Sequence, residues 1–332
     1  MESVSLKNKY VNVYSCCIFV KGYTRAAIYD LQREEIELVP NSLVDFVKYI
    51  DKKKTSDIYE EFKDNKDALE YLEFLYSNDF IFDAPEGSKN NFPSLTTYSV
   101  NEDTSPLNFV TLYFSDIIHN NLEDIFEKLY QLGVKGLHIH FTEKSEEYLS
   151  LILNLIQNTR ITYLSVSVPY DSNVNFGAFK HNILKYIYVY NAEDEINMEE
   201  DETKIIFSKK AYQFFKKKFS LANLAINHGA YNISLKNNLA LYKTIFIDKN
   251  GNIRLNGYDK NNYGNIIDHS SKRILNNELL RLSEVWKIKK TSIVPCKFCE
   301  FRWVCTANFI PQKKDNYYIV ECNYNPKNNT GI

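Results

Sequence analysis

The chain has 332 residues, 44% hydrophobic and 25% charged, a composition that excludes disorder and leaves room for two or three packed units. Its formal net charge of −2 provides no global basic field to draw nucleic acid, so Lys52-Lys53-Lys54 and Lys216-Lys217-Lys218 read as solvated helix faces. The opening "MESVSLKNKYVNVY" lacks an apolar signal core, and no uncharged apolar run reaches the roughly eighteen residues of a membrane span, so a cytoplasmic protein without membrane association is expected.

Residues 1–83 predict a winged-helix-like module. Two β-prone runs, Ala26 to Leu31 and Glu35 to Val39, flank a polar turn as in a hairpin. Three helices follow: one after Pro40, with Asn41 as cap and Leu43, Phe46, Val47 and Ile50 on one stripe; a short acidic one from Ser56 to Lys63; and one with Asp67 and Glu70 spaced as a capping box before Leu69, Leu72, Leu75 and Tyr76. "FIF" then closes the module as a strand. Cys16 and Cys17 are adjacent. Strand neighbours point to opposite faces, which predicts two buried small side chains that do not share a centre.

Residues 84–107, rich in Pro, Ser and Asn, read as a linker. From 108 to 228 strand and helix patterns alternate: "NFVTLYF", a helix stripe of Leu122, Ile125, Phe126 and Leu129, "GLHIHF", a second stripe of Leu149, Ile152, Leu153 and Ile156, then "ITYLSVSV", "KYIYVYN", a helix near Ala211 to Lys217, and "NLAIN". About five such units in ~120 residues predict an α/β region of incomplete parallel barrel type. His138 and His140 share one strand face, but no third ligand is evident, and packed or hydrogen-bonded histidines are the commoner outcome.

Residues 229–332 form a further piece. "KTIFIDKNGNIRLNG" is a hairpin signal in which Gly251 supplies the positive φ of the turn, and a helical stretch runs near Asn276 to Val285. The tail "PCKFCEFRWVCTANFIPQKKDNYYIVECNYNP" then holds four of the six cysteines, Cys296, Cys299, Cys305 and Cys322, spaced C-x2-C-x5-C-x16-C. In a reducing compartment such a cluster points to metal rather than disulfides, and thiolates select zinc or iron-sulfur clusters. The spacing leaves both open. Phe298, Phe301, Trp303 and Tyr324 are the neighbours expected to shield the centre.

The hairpin "IDKNGNIRLNG", the following "YGNI" and the cysteine tail together resemble a SPASM domain, the C-terminal auxiliary-cluster domain of peptide-modifying radical SAM enzymes. "VKGYTRAAIYDLQREEIELVPNSL" and the terminal "CNYNP" further resemble the SPASM-domain peptide maturases of grasp-with-spasm systems, which act beside an ATP-grasp ligase and a small precursor peptide of ribosomal origin (RiPP biosynthesis). The match would span essentially the whole chain. Residue by residue, the outer-cluster positions of a two-cluster SPASM domain fall on Cys296, Cys299, Cys305 and Cys322. The inner-cluster positions fall on Asn256 and Phe309, and Leu235 to Leu241 holds no cysteine. The resemblance therefore implies one 4Fe-4S cluster, with zinc as the alternative.

The C-x3-C-x2-C that binds S-adenosylmethionine in radical SAM enzymes is absent from "NFVTLYFSDIIHNN", and "HFTEKSE" stands in place of the Gly-Gly-Glu stretch. This implies a pseudo radical SAM scaffold with no site for S-adenosylmethionine. The N-terminal module is similar to the recognition element that captures a leader peptide as an added strand, and the resemblance implies a groove lined by Ala26 to Asp30 and the helix from Asp67 to Ser77. The implied function is an accessory maturation protein that binds the precursor peptide and presents it to the ligase. The alternative is a peptide-modifying redox enzyme using its single cluster, with Glu143, Glu146, His138 and His140 as candidate groups.

Overall fold

The computed structural model describes residues 9–331 apart from 89, 94, 96–103, 144, 145, 180 and 212–217. Its first part runs β1 (Lys9–Val13), β2 (Cys17–Lys21), β3 (Ala26–Asp30), β4 (Glu35–Val39), α1 (Asn41–Ile50), α2 (Thr55–Glu61), α3 (Lys66–Ser77) and β5 (Ile81–Pro85). The expected hairpin is β3–β4, and β2 extends it to a three-stranded antiparallel sheet; β5 returns to β1 in a separate pair. α3 starts earlier than the Asp67–Glu70 spacing suggests. Asn65 is its cap, accepting from the Ala68 N–H at 3.1 Å.

All five residues of β3 are buried, because its sheet is covered on both faces. Ala26 and Ile28 pack with Leu43, Val47, Leu72 and Leu75 of α1 and α3. Ala27 and Tyr29 pack with Tyr231 and Val304, far along the chain. The hairpin and its helices thus supply half of their own cover, and the C-terminal part supplies the rest.

The second part runs β6 (Phe109–Tyr113), α4 (Asp116–His119), α5 (Leu122–Gln131), β7 (Gly136–His140), α6 (Glu146–Ile156), β8 (Tyr163–Pro169), β9 (Leu184–Tyr190), β10 (Ile196–Glu200), β11 (Thr203–Ser208), α7 (His228–Lys236), β12 (Thr244–Ile247), β13 (Asn252–Arg254) and β14 (Gly264–Asn265). The sheet order is β10-β11-β9-β8-β7-β6-β12-β13-β14, with β11, β9, β8, β7, β6 and β12 parallel and the remaining three strands antiparallel at the edges. The chain is therefore α/β, with a large mixed sheet rather than a purely parallel one. The stripes of α5 and α6 are buried against it as their periodicity requires.

Three expectations change here. Among the described residues β8 and β9 are joined by a short 3-10 turn (Phe176–Ala178), and β9 and β11 by the exposed strand β10, so the regular alternation stops after β8. "NLAIN" is no barrel strand: Asn223 ends a 3-10 turn (Leu221–Asn223), Leu224 bridges to Cys305, and Asn227 caps α7. The helix expected near Ala211 to Lys217 falls largely on 212–217, outside the described residues. The hairpin assigned to the C-terminal piece, β12–β13, extends the main sheet through β6. Its turn has Gly251 at φ +81°, and Asp248 accepts the N–H groups of Asn250 and Asn252.

The last part holds α8 (Ser271–Arg273), which passes through a π turn (Ile274–Glu278) into α9 (Leu279–Trp286), then β15 (Ile293–Val294), β16 (Gln312–Lys314) and β17 (Tyr317–Ile319) in a small sheet ordered β15-β17-β16. No helix among the described residues is long and apolar enough to cross a membrane.

Candidate functional site

The four tail cysteines come from a 3-10 turn (Cys296), the chain leaving it (Cys299), the end of the following turn (Cys305) and the segment after β17 (Cys322). Cys299 and Cys305 are buried in one cluster with Phe219, Phe301, Ala307, Phe309 and Tyr324, and Cys322 packs against it. Two sulfurs accept backbone N–H groups two residues on, Phe301 N to Cys299 Sγ and Tyr324 N to Cys322 Sγ, each at 3.4 Å. Burial pushes the Cys296 thiol up to about 12, with Lys290 opposing; Cys299 and Cys322 are also raised by burial. Lys290, 6% exposed, donates to the carbonyls of Cys305 (2.8 Å) and Ala307 (3.2 Å). Burial works against its charge, but the sulfurs of Cys305 and Cys296 beside it outweigh that and hold its pKa above the ordinary value.

Of the expected shielding residues, Phe301 and Tyr324 do stand in the cysteine cluster, and Phe219, 4.8 Å from Tyr324, joins them. Trp303 packs instead with Tyr231, and Phe298 is 40% exposed beside Tyr23.

Glu300, fully buried between two of the cysteines, ties this cluster to the N-terminal sheet. It pairs with Arg25 Nε at 2.7 Å, accepts from the Tyr324 hydroxyl, and its backbone carbonyl accepts from the Tyr29 hydroxyl. Gly22 is required at the same contact: a Cβ there would meet Arg25 O at 2.6 Å and Glu300 Cβ at 3.0 Å. Arg302 Nη1 also donates to Lys21 O at 2.7 Å.

The second candidate region is one face of the parallel strands, where alternation brings Thr111 and Tyr113 of β6, His138 and His140 of β7, Ser165 and Ser167 of β8, and Tyr186 and Tyr188 of β9 into neighbouring rows. His138 Nδ1 lies 2.8 Å from Ser165 Oγ and its Nε2 3.1 Å from Ser167 Oγ, which is 2.7 Å from His140 Nδ1. A serine hydroxyl can donate to one ring and accept from the other, so the row Ser165–His138–Ser167–His140 satisfies itself in either direction with both rings neutral. Burial lowers His138 to about 4 and His140 to about 3. No cysteine lies on these strands, and among the described residues neither histidine belongs to a three-ligand group. Glu143 is exposed just beyond β7, where it lines a cavity with Tyr113 of this row; the side chain of Glu146 lies outside what is described.

Sequence reasoning missed one group. Cys16 sits in the turn before β2, not on the strand, so its thiol falls 3.9 Å from that of Cys17 instead of on the opposite face. These two sulfurs and an Asp30 oxygen lie within 4.8 Å of one another, the single group of three or more ligand-type side chains so close among the described residues. Among the described residues no three of the four tail thiols lie that close to one another.

No model of a known protein family matches the chain, and no curated protein does. Two solved structures of SuiB from Streptococcus suis are similar to it, one of them bound to S-adenosylmethionine. Each is 11% identical over 94% of this chain and 99% of the other, with TM-scores of 0.37 and 0.36. A TM-score of that size fixes neither a fold nor a site.

Proposed function

We propose that the chain is an accessory maturation protein of a ribosomal peptide pathway, binding the leader of a precursor peptide and presenting its core to a partner ATP-grasp ligase. The observation that carries this reading is the outer edge of β4. β3, assigned the groove from sequence, is the central strand and has both edges paired, so it cannot accept an added strand. At β4 the situation differs. Among the described residues no backbone hydrogen bond reaches its outer edge, and Glu35 and Glu37 are exposed although Asp30 and Ile28 opposite them are buried. The helices therefore stop short of β4, and an extended peptide can add there through main-chain hydrogen bonds. Arg33 ties the β3–β4 turn to the end of α3 through Asp79 (2.7 Å) and Asn78 O (3.0 Å), fixing the edge beside that helix.

Cys296, Cys299, Cys305 and Cys322 would hold the metal centre. A zinc ion bonded at about 2.3 Å draws thiolates to about 3.8 Å from one another. Among the described residues no three of these four sulfurs lie within 4.8 Å of one another, wider than a closed zinc site, so the 4Fe-4S cluster, in which the irons stand between the thiolates, is kept. The two N–H···S bonds and the buried Lys290 ammonium suit an anionic thiolate cage of either kind. Such a cluster, when bound, supplies one-electron chemistry or simply a cross-link of the tail. Here the chain's own residues favour the second role: the aromatic cluster buries the cage, and Glu300 anchors it to the sheet that carries β4. Absence of cysteine from the parallel strands supports a scaffold that does not cleave S-adenosylmethionine.

Hydrogen exchange read by mass spectrometry tests the reading. A synthetic leader peptide should slow exchange across Glu35–Val39. Protection confined to the parallel strands, with β4 unaffected, would overturn it and favour the enzyme reading.

A further inference from the structure

We propose that Cys16, Cys17 and Asp30 form a site for one thiophilic divalent cation of the zinc class, separate from the four-cysteine cage. The group lies where β2 begins and β3 ends. Gly22 and Arg25, which meet the tail, lie beyond the other end of these strands.

The geometry is that of a single ion. A tetrahedral ion at about 2.3 Å from each of two sulfurs holds them about 3.8 Å apart, and the two thiols stand at 3.9 Å. Cys17 and Asp30 are cross-strand partners, so their side chains share a face, and each is 5% exposed. Asp30 is held by its own turn: Oδ1 accepts the N–H groups of Gln32 and Arg33, each at 3.0 Å. Oδ2 has a longer contact, 3.4 Å, to Arg33 Nη1, whereas the same guanidinium binds Asp79 at 2.7 Å. Metal ligands are oriented by such outer contacts, and here they fix the carboxylate without consuming its second oxygen.

The donor set selects the ion class. Two sulfurs and one carboxylate suit zinc and its heavier congeners, whereas magnesium and calcium take oxygen alone. Three protein ligands leave a fourth position, and Cys16 is half-buried, which gives an ion and a water a way in. Two thiolates and one carboxylate around a divalent cation leave one net negative charge, and Arg33 stands beside it.

The test uses the full chain, purified anaerobically with its tail centre in place. Alkylation by iodoacetamide is followed at Cys16 by peptide mass spectrometry, with and without Zn2+. Zinc should slow modification of Cys16 at least about 10-fold, and Asp30→Asn, which keeps the side-chain shape and the acceptor of its turn, should lose most of that protection. In parallel, Cd2+ titration followed by thiolate-to-cadmium absorption should give one equivalent that Cys16→Ser removes while the iron or zinc content of the tail stays unchanged. An alkylation rate indifferent to Zn2+ overturns the proposal, as does a Cys16→Ser protein that binds as much Cd2+ as the parent. The alkylation experiment decides the question on the unaltered chain even where a variant fails to fold.

Discussion

The inner row of the parallel strands and the cysteine tail are both buried polar sites, yet they are built on opposite principles. In the row each imidazole nitrogen facing a serine finds a hydroxyl, the rings are neutral, and the hydrogen bonds close on one another. In the tail, four thiols share one segment with burial opposing ionisation of three of them, a buried ammonium faces them, and Glu300 Oε2 has no hydrogen-bond partner among the described residues. A satisfied network rigidifies; thiols arranged against their own ionisation await a cation that repays it. The difference teaches that the row of the parallel strands is already satisfied by its own hydrogen bonds, whereas the tail thiols carry the cofactor site of the proposed reading.

The comparison can be broken most sharply at Cys305. Cys305→Ser should take iron and sulfide from one cluster per chain to near zero and lower Tm by about 10 °C, because metal binding in such a centre is folding free energy. Metal analysis with calorimetry checks both. Glu300→Ala comes next: removing one partner of a buried pair leaves Arg25 exposed to the full loss, and urea unfolding should show a cost of about 3 kcal/mol, together with faster exchange in β3 as the sheet loosens from the tail.

The histidine row contributes a pH dependence. Both folded pKa values lie below the unfolded 6.5, so the unfolded chain takes up protons first as pH falls; the contribution is complete above pH 6.5 and is lost on acidification towards about 4 and about 3. Between pH 6.5 and 5 the loss should be about 3 kcal/mol for the two rings together, and potentiometry should find about two protons bound on unfolding at pH 5 from these rings. The smallest effect is expected from Ser167→Ala, about 1 kcal/mol in urea unfolding from two ring nitrogens losing a partner, with cluster content and leader binding unchanged. Loss of leader binding there would shift function back to the parallel strands.

How far the sequence carried depends on the range of the signal. The stripes of α5 and α6 and the β12–β13 turn were legible because they are local: a period of 3.6, or an Asp and a Gly at fixed offsets. The four tail cysteines were legible as ligand types in one segment. The Arg25–Glu300 pair was not, since 275 positions separate its members and each alone is an ordinary surface charge. The expectation that Ala26 to Asp30 offers an open edge failed because β2, "CIFVK", was not recognised as a strand, so the central strand looked like an edge. The Cys16–Cys17 pair failed for a local reason: alternation applies within a strand, and Cys16 precedes it by one residue.

The most direct test of the account is reconstitution: precursor peptide, ATP-grasp ligase, ATP and Mg2+, with and without this protein, followed by intact mass. The ligase should shift the mass of the peptide only when the protein is present, and the protein without ligase should leave that mass unchanged. Full modification by the ligase alone, or a mass change produced by this protein without it, would contradict the role assigned here.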